Sequence, residues 1–326
     1  MPHHFDTLVL PGGGIKGLTI LGALHYLYTE TDYLENIETF SGTSIGGIIN
    51  VFLALGFTPI EIFSKSYHYD KAIRCDISDI LGVTKNYGLK SNEHIIDFAF
   101  DIILERYSSL IIPNETTLEH IFTITGKTLY FAVANISEDR MVYFNHKSHP
   151  KMPLKLAMRM TANIPFIYSK IQCDVSLFTP DRDRDNSDGG ESSDSEKAFE
   201  RDRTTSENDE NDYYVDGGLL DNCPISCVDN GVNNVLVVDI HKRNKKGNLG
   251  VFEYFYKIIT LPAKYSHAKT KNNMSDKCRL FDLDEVDVNL LGINSNLKDR
   301  QNVFDQGYEQ AHRLVIEMEM EESYEV

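Results

Sequence analysis

One stretch near the start of the sequence indicates the fold class of this chain: Thr7-Leu8-Val9-Leu10-Pro11-Gly12-Gly13-Gly14-Ile15-Lys16-Gly17. Its first four residues are an apolar run, which predicts a buried strand, and Pro11 with the three glycines predicts a tight turn. From Ile15 to about Tyr28 apolar residues recur at helical spacing, which predicts a helix directly after the turn. The chain therefore begins as a strand that enters a helix through a glycine-rich turn.

The same pattern follows a second time along the chain. Residues 37–40 predict a short strand, residues 41–44 (Ser-Gly-Thr-Ser) a turn, and residues 45–55 a buried helix that ends at Gly56. Strand, helix, strand and helix in succession are typical of a parallel sheet with covering helices. We expect an α/β fold of three layers, with a mostly parallel central sheet and helices on both faces. Val235 to Ile240 is the strongest buried strand predicted in the second half.

Composition and charge exclude several classes of protein. The 326 residues carry 32 Lys and Arg against 49 Asp and Glu, a net charge of −17. This balance argues against nucleic acid as a partner and against capture by strongly anionic membranes. No signal peptide and no run of about eighteen apolar residues is evident. Five cysteines, without zinc-binding spacing, indicate a reducing compartment. A cytoplasmic protein, peripheral to membranes, is expected.

We expect one domain over residues 1–326, with two parts that differ from the rest. Residues 181–212 contain thirteen Asp or Glu and only five Lys or Arg, which predicts a disordered acidic insertion. A calcium loop starting at Asp185 is disfavoured because flanking amphipathic helices are missing. Residues 241–326 are expected to be a helical extension that packs on the core. Its last helix has an apolar stripe around Phe304, and the glutamates of the opposite face argue against a membrane-surface helix.

Two glycine-bracketed motifs could carry chemistry. In the first, residues 12–17, successive glycines let backbone N–H groups point at a negative charge beside a helix N-terminus. The second is Gly42-Thr43-Ser44-Ile45-Gly46, a G-x-S-x-G elbow whose sharp turn exposes a serine hydroxyl. The first motif also matches G-x-G-x-x-G, but no acidic residue closes the second strand as dinucleotide binding requires. A phosphate-binding P-loop is excluded because Leu18 follows Gly17 where that motif needs lysine.

A nucleophilic serine needs a base, and the sequence offers two kinds. His241, His267 and His312 lie downstream of Ser44, but none of them is part of a recognisable motif. The second kind of base is a carboxylate. A short strand that brings it to an open glycine turn is predicted by the stretch Tyr213-Tyr214-Val215-Asp216-Gly217-Gly218.

Taken together, these motifs resemble the patatin-like phospholipases, a family of lipid acyl hydrolases. The family's order is kept: the glycine-rich turn at residues 12–17, the elbow at 42–46, and Asp216-Gly217-Gly218. Residues 161–166 (Thr-Ala-Asn-Ile-Pro-Phe) are similar to a stretch that lies between elbow and aspartate in that family. The resemblance covers residues 5–240. Lys16 stands where many members have arginine, and residues 241–326 match no motif.

The resemblance implies a mechanism and a set of site residues. Ser44 would be the nucleophile and Asp216 its base, and backbone N–H groups of Gly13, Gly14 and Ile45 would form the oxyanion hole. The other motif residues are Gly12, Lys16, Gly17, Gly42, Gly46, Gly217 and Gly218. Lys16 would add charge near the oxyanion or a lipid phosphate, or face outward. The substrate would be a phospholipid or other acyl lipid, reached by transient membrane contact, with no cofactor and no metal, calcium included.

Two other functions remain open from the sequence. One is a Ser-His-Asp esterase that uses one of the three downstream histidines. The other is a catalytically silent protein that binds lipid or a partner. The catalytically silent protein is disfavoured because the nucleophile, the base and the glycines are all present.

Overall fold

The structure is a computed structural model that describes residues 4–67, 87–180, 211–241, 251–286 and 297–324. The strands are β1 (Thr7–Leu10), β2 (Thr39–Thr43), β3 (Gly88–Lys90), β4 (Thr128–Asn135), β5 (Arg140–Phe144), β6 (Phe166–Tyr168), β7 (Ile171–Cys173), β8 (Asp212–Asp216), β9 (Val235–His241) and β10 (Cys278–Asp284). The α-helices are α1 (Gly17–Glu30), α2 (Ile45–Ala54), α3 (Pro59–Tyr67), α4 (Glu93–Tyr107), α5 (Leu118–Thr125), α6 (Leu154–Thr161), α7 (Val251–Asn272) and α8 (Leu297–Tyr324). Short 3-10 turns occur at Gly14–Lys16, Val175–Phe178 and Gly217–Leu219.

The central sheet has the strand order β10-β9-β1-β2-β4-β8-β7, and β5 also pairs with β4. The pairs from β10 through β4 are parallel, whereas β5, β8 and β7 join antiparallel. A mostly parallel sheet of this kind is buried on both faces by helices. The expected α/β fold class is therefore confirmed.

The side chains of β1 alternate between the two faces of the sheet, as strand geometry requires. Leu8 and Leu10 belong to a large apolar cluster that includes α1 and the buried residues of α8. Val9 belongs to a smaller cluster on the other face, together with Val235 and Val237 of β9. Helix α7 lies on that second face, where His267 contacts Asp239. All four residues of Thr7–Leu10 are buried because apolar clusters cover both faces of this strand.

Helices α1 and α8 cross at two glycines. A Cβ at Gly22 would lie 1.9 Å from the carbonyl oxygen of Phe304, and one at Gly307 would lie 2.0 Å from that of Thr19. Only glycine allows the two backbones to approach so closely. The predicted stripe on the last helix does face the core, since Val303, Phe304, Ala311 and Val315 are buried.

The second strand begins and ends later than the sequence indicates. It spans Thr39–Thr43, not residues 37–40, and thus continues through Ser41 and Gly42 to the elbow. The extension arises because β2 pairs on both sides: Leu10 of β1 lies opposite Gly42, and Ala132 of β4 lies opposite Thr43. Partner strands therefore override the weak strand preference of glycine.

The C-terminal part is more than a helical extension. Besides α7 and α8 it contributes β10, which pairs in parallel along the whole length of β9. The sequence Cys-Arg-Leu-Phe-Asp-Leu-Asp of β10 places Phe281 and Leu283 in the core and exposes the polar residues between and after them. That alternation is typical of an edge strand with one buried face.

The predicted acidic insertion lies outside the described residues, except for Asn211 and Asp212, and Asp212 already begins β8. Among the described residues, no helix combines the length and the apolar character that crossing a membrane would require.

Candidate active site

Ser44 occupies a strained turn between β2 and α2. Its φ of 54° and ψ of −125° lie where residues other than glycine are rarely found. The turn is held by the Ser44 N–H, which donates to Thr161 Oγ1 (3.0 Å), while the Thr161 hydroxyl donates to the carbonyl oxygen of Ala132 (2.8 Å). Strain of this kind is common where a nucleophile must project from a sheet.

The two glycines of the elbow are required by close backbone contacts. A Cβ at Gly42 would lie 2.6 Å from the nitrogen of Gly47, and a Cβ at Gly46 would lie 2.5 Å from the carbonyl oxygen of Leu10. A larger residue at either position would therefore push the elbow away from the main chain that packs against it.

Asp216 reaches Ser44 because their strands flank β4. Thr43 pairs with Ala132 and Asp216 pairs with the next residue, Val133, so the ends of β2 and β8 lie at the same level on the two sides of β4. The Asp216 N–H donates to the carbonyl oxygen of Asn163 (2.9 Å), and Asp216 Oδ1 accepts from the Gly218 N–H (2.8 Å). These bonds fix the carboxylate at the start of the Gly217–Leu219 turn.

The carboxyl group of Asp216 is buried and has an unusual pKa. Loss of solvation raises the pKa of Asp216 from 3.8 to about 6, although interactions with the Ser44 hydroxyl and the Gly218 N–H work in the opposite direction. Both Asp216 and Ser44 are only 6% exposed. The structure therefore brings the two predicted residues together in a dry site.

The glycine-rich turn is anchored to the segment that follows Asp216. The Gly12 N–H donates to the main-chain oxygen of Asn222 (3.0 Å), and Asn222 Nδ2 donates to the oxygen of Gly12 (3.1 Å). A Cβ at Gly12 would lie 3.1 Å from Cβ of Ser44, so this turn borders the nucleophile. Within the described part of the chain, the N–H groups of Gly13 and Gly14 have no acceptor. Asn222 was not among the residues that the sequence singled out.

Lys16 does not face outward. Its side chain is buried and its ammonium group forms an ion pair with Glu285, immediately after β10. Of the two alternatives for Lys16, the outward-facing side chain is therefore wrong, whereas a charge near the oxyanion stays a prediction. The C-terminal part supplies the carboxylate that the buried ammonium group needs. No local motif marks Glu285, so the sequence could not identify it.

Replacing Glu285 by Gln should destabilise the protein by about 3 kcal/mol, because the Lys16 ammonium group would remain buried without its counter-charge. Urea unfolding would measure the change. The matched control is Glu105→Gln, which breaks the exposed Lys65–Glu105 pair and should cost less than about 1 kcal/mol. Equal effects of the two substitutions would contradict a buried pair.

The three downstream histidines have other partners. His267 Nε2 lies 2.7 Å from Asp239 Oδ2, and the exposed His241 lies 3.9 Å from Asp282. The ring of His312 packs on Tyr26 with 5.1 Å between centroids. Among the described residues none of the three contacts Ser44, which favours Asp216 as the base.

The described residues contain no group of three or more His, Cys, Asp or Glu side chains arranged to hold a metal ion.

Comparisons with known proteins identify a matching family and a similar fold. The family model of patatin-like phospholipases matches residues 8–228, which include every motif of the site. A probable lipid hydrolase, 463L of Invertebrate iridescent virus 6, is 26% identical over 318 residues, which are 95% of this chain and 89% of that protein. The uncharacterised protein R571 of Acanthamoeba polyphaga mimivirus is 22% identical over 97% of this chain and 95% of its own length. The fold is similar to VipD from Legionella pneumophila, with a TM-score of 0.50 and 15% identity over 96% of this chain and 67% of that one.

Proposed function

The chain belongs to the patatin-like phospholipase family, whose chemistry is lipid hydrolysis, and we propose that it is a phospholipase A-type acyl hydrolase with a Ser44–Asp216 dyad. The observation that carries the proposal is the buried contact between the Ser44 hydroxyl and the Asp216 carboxyl. The proposed substrate is a phospholipid or another acyl lipid, met during transient contact with a membrane.

In the proposed reaction, Ser44 Oγ attacks the ester carbonyl while its proton passes to the Asp216 carboxylate. A new Oγ–carbon bond forms, and the carbonyl electron pair moves to the oxygen. When the tetrahedral intermediate collapses, the ester bond to the alcohol breaks and Asp216 returns the proton to that alcohol. Water then attacks the acyl-enzyme, with Asp216 again taking and returning a proton, to release the fatty acid.

Backbone N–H groups would stabilise the oxyanion. Gly13 and Gly14 have amide hydrogens without an acceptor in the described structure, and Ile45 opens helix α2 without a side-chain cap. A helix N-terminus adds positive potential at that place. Donors of this kind are each worth roughly 3 kcal/mol of transition-state stabilisation.

An aspartate is a weak base at its ordinary pKa, so its environment matters. With a pKa of about 6, Asp216 takes up a proton more readily and is still mostly ionised at neutral pH. Burial thus provides the basicity that a histidine provides in other serine hydrolases.

The pH dependence of kcat/KM should report this group. Because the base must be ionised, we expect kcat/KM for a soluble ester to rise with pH through an apparent pKa of about 6 and then level off. A pH–rate profile on a short-chain nitrophenyl ester would measure it. A profile still flat down to about pH 4.5 would contradict a buried carboxyl base.

The function itself is tested by fatty-acid release from mixed phospholipid micelles in EDTA. We expect release by the wild-type protein and release at background level with Ser44→Ala, since no nucleophile remains. A fluorophosphonate should label the wild-type protein and not Ser44→Ala. Absence of both release and labelling in the wild type would identify a catalytically silent lipid binder instead.

A further inference from the structure

Helix α7 carries a row of exposed apolar side chains. Tyr254, Ile258, Leu261 and Tyr265 are 54%, 51%, 63% and 80% exposed. Their spacing of four, three and four residues places them within an arc of about 60° at 3.6 residues per turn. We call these four residues the α7 stripe. A continuous stripe differs from single exposed apolar residues, which are normal on protein surfaces.

The other side of α7 is attached to the site. Ala263 is buried, and His267 contacts Asp239 at the end of β9. Helix α7 also packs against the Gly217–Leu219 turn that directly follows the proposed base. The α7 stripe therefore lies on a helix that packs beside the proposed active site.

The charge of α7 is opposite to that of the protein. Residues 251–272 contain four lysines and one glutamate, whereas the whole chain has a net charge of −17; of the four, Lys271 forms ion pairs with Asp239 and Asp282 of the sheet. At helical spacing, Lys264 lies along one side of the stripe and the exposed Lys269 along the other. Lysine side chains beside an apolar face can extend toward phosphate groups while their stems stay in apolar surroundings.

We propose that the α7 stripe docks on the lipid–water interface of membranes that contain anionic phospholipid, which brings the Ser44 site to its substrate. This inference rests on the proposed function for its biological meaning. Its physical basis is the combination of an apolar stripe with flanking lysines, which is typical of helices that lie in a membrane interface. Helix α8 lacks this combination of apolar residues and lysines, because its exposed Ile316 is followed by Glu317 and Glu319.

The absence of tryptophan from the chain allows a direct test. Leu261→Trp and the control Ile316→Trp are each made in the Ser44→Ala background, so that vesicles are not degraded. With vesicles of phosphatidylcholine and phosphatidylserine, the emission of Trp at position 261 should shift to shorter wavelength, and that at 316 should not. Equal behaviour of the two positions would overturn the proposal.

A second experiment keeps binding and catalysis apart. In vesicle sedimentation with Ser44→Ala protein, Leu261→Glu combined with Tyr265→Glu should lower the partition coefficient roughly tenfold or more, because two apolar contacts are lost. The control Ile316→Glu should have little effect. In the active protein, the double variant should hydrolyse a soluble nitrophenyl ester normally and vesicle phospholipid slowly.

The outcomes separate the two proposals. Vesicle binding that the double variant weakens, in a protein that hydrolyses no ester, would refute the proposed function and support the α7 stripe as a lipid surface. If the protein hydrolyses the ester but does not bind vesicles, the α7 stripe is refuted as a lipid surface and the proposed enzyme is supported. The same conclusion follows if the double variant binds vesicles as well as the unchanged stripe does. Binding by the stripe only to a copy of this chain, seen as dimers in analytical ultracentrifugation, would also refute it.

Discussion

Asp216→Asn is expected to lower kcat/KM for ester hydrolysis by roughly 10²–10⁴-fold, the usual contribution of a general base. Asparagine has almost the same shape, its Oδ1 can still accept from the Gly218 N–H, and its amide can donate to Ser44. What it cannot do is take the Ser44 proton. The loss should therefore lie in kcat/KM on soluble esters, without misfolding.

The same substitution should make the protein more stable. A carboxyl whose pKa rises from 3.8 to about 6 on folding opposes folding by up to about 3 kcal/mol at pH 7. The folded state holds this proton more tightly, so stability falls as the pH rises through the interval between the two values. Urea unfolding should show Asp216→Asn more stable than the wild type above about pH 6, and little different below about pH 4.

Histidine variants serve as the control for this prediction. His241→Gln, His267→Gln and His312→Gln should retain most of the activity per folded molecule, because their contacts lie away from Ser44. His267→Gln is expected to reduce stability, since Asp239 is buried and loses its imidazole partner. If one histidine variant lost activity while Asp216→Asn kept it, the Ser–His–Asp alternative would be correct.

Much of the fold follows from local patterns in the sequence. The apolar runs ending at Leu10 and the glycines around Ser44 identify two strand–turn–helix units, and a strand pattern ends at Asp216. In the structure these patterns meet because β2 and β8 both pair with β4. Motif spacing could predict the participants, but pairing with a common central strand is what places them together.

Other parts of the site could not be predicted because they depend on distant contacts. Asn222 anchors Gly12 by two hydrogen bonds, and Glu285 neutralises Lys16, yet neither residue has a local pattern that sets it apart. Likewise β10 is half polar, so the sequence predicts only helices in the C-terminal part. Such contacts become visible only when a buried polar group is found that needs a partner.

Gly46→Ala should damage both stability and activity. An added Cβ would lie 2.5 Å from the carbonyl oxygen of Leu10 and 2.6 Å from that of Pro11. Both are main-chain atoms of the strand that leads into the proposed oxyanion turn, and they cannot move aside as a side chain could. We expect a loss of at least about 3 kcal/mol in the free energy of unfolding, at the upper end of overpacking effects.

The activity loss should exceed what unfolding explains. Pushing Pro11 away from Ser44 would also displace the Gly13 and Gly14 amides, and misplacing one oxyanion donor costs about 10²–10³-fold in kcat. Measured per folded molecule, kcat on a soluble ester should fall by this amount.

The neighbouring Gly47→Ala is the matched control, since it adds the same methyl group one residue along the same helix. Its Cβ would lie 3.3 Å from the Phe131 ring, 3.3 Å from the Thr161 methyl group and 3.4 Å from the carbonyl oxygen of Gly42, which are tight contacts without the main-chain overlap at Gly46. We therefore expect about 1 kcal/mol of destabilisation and a modest loss of activity, since Thr161 also holds the Ser44 turn, and both effects should be clearly smaller than those of Gly46→Ala. If both substitutions were equally harmful, helix α2 would be intolerant of added volume in general. If Gly46→Ala is much the more harmful of the two, the contact between the elbow and the first strand is what holds the nucleophile against its oxyanion turn.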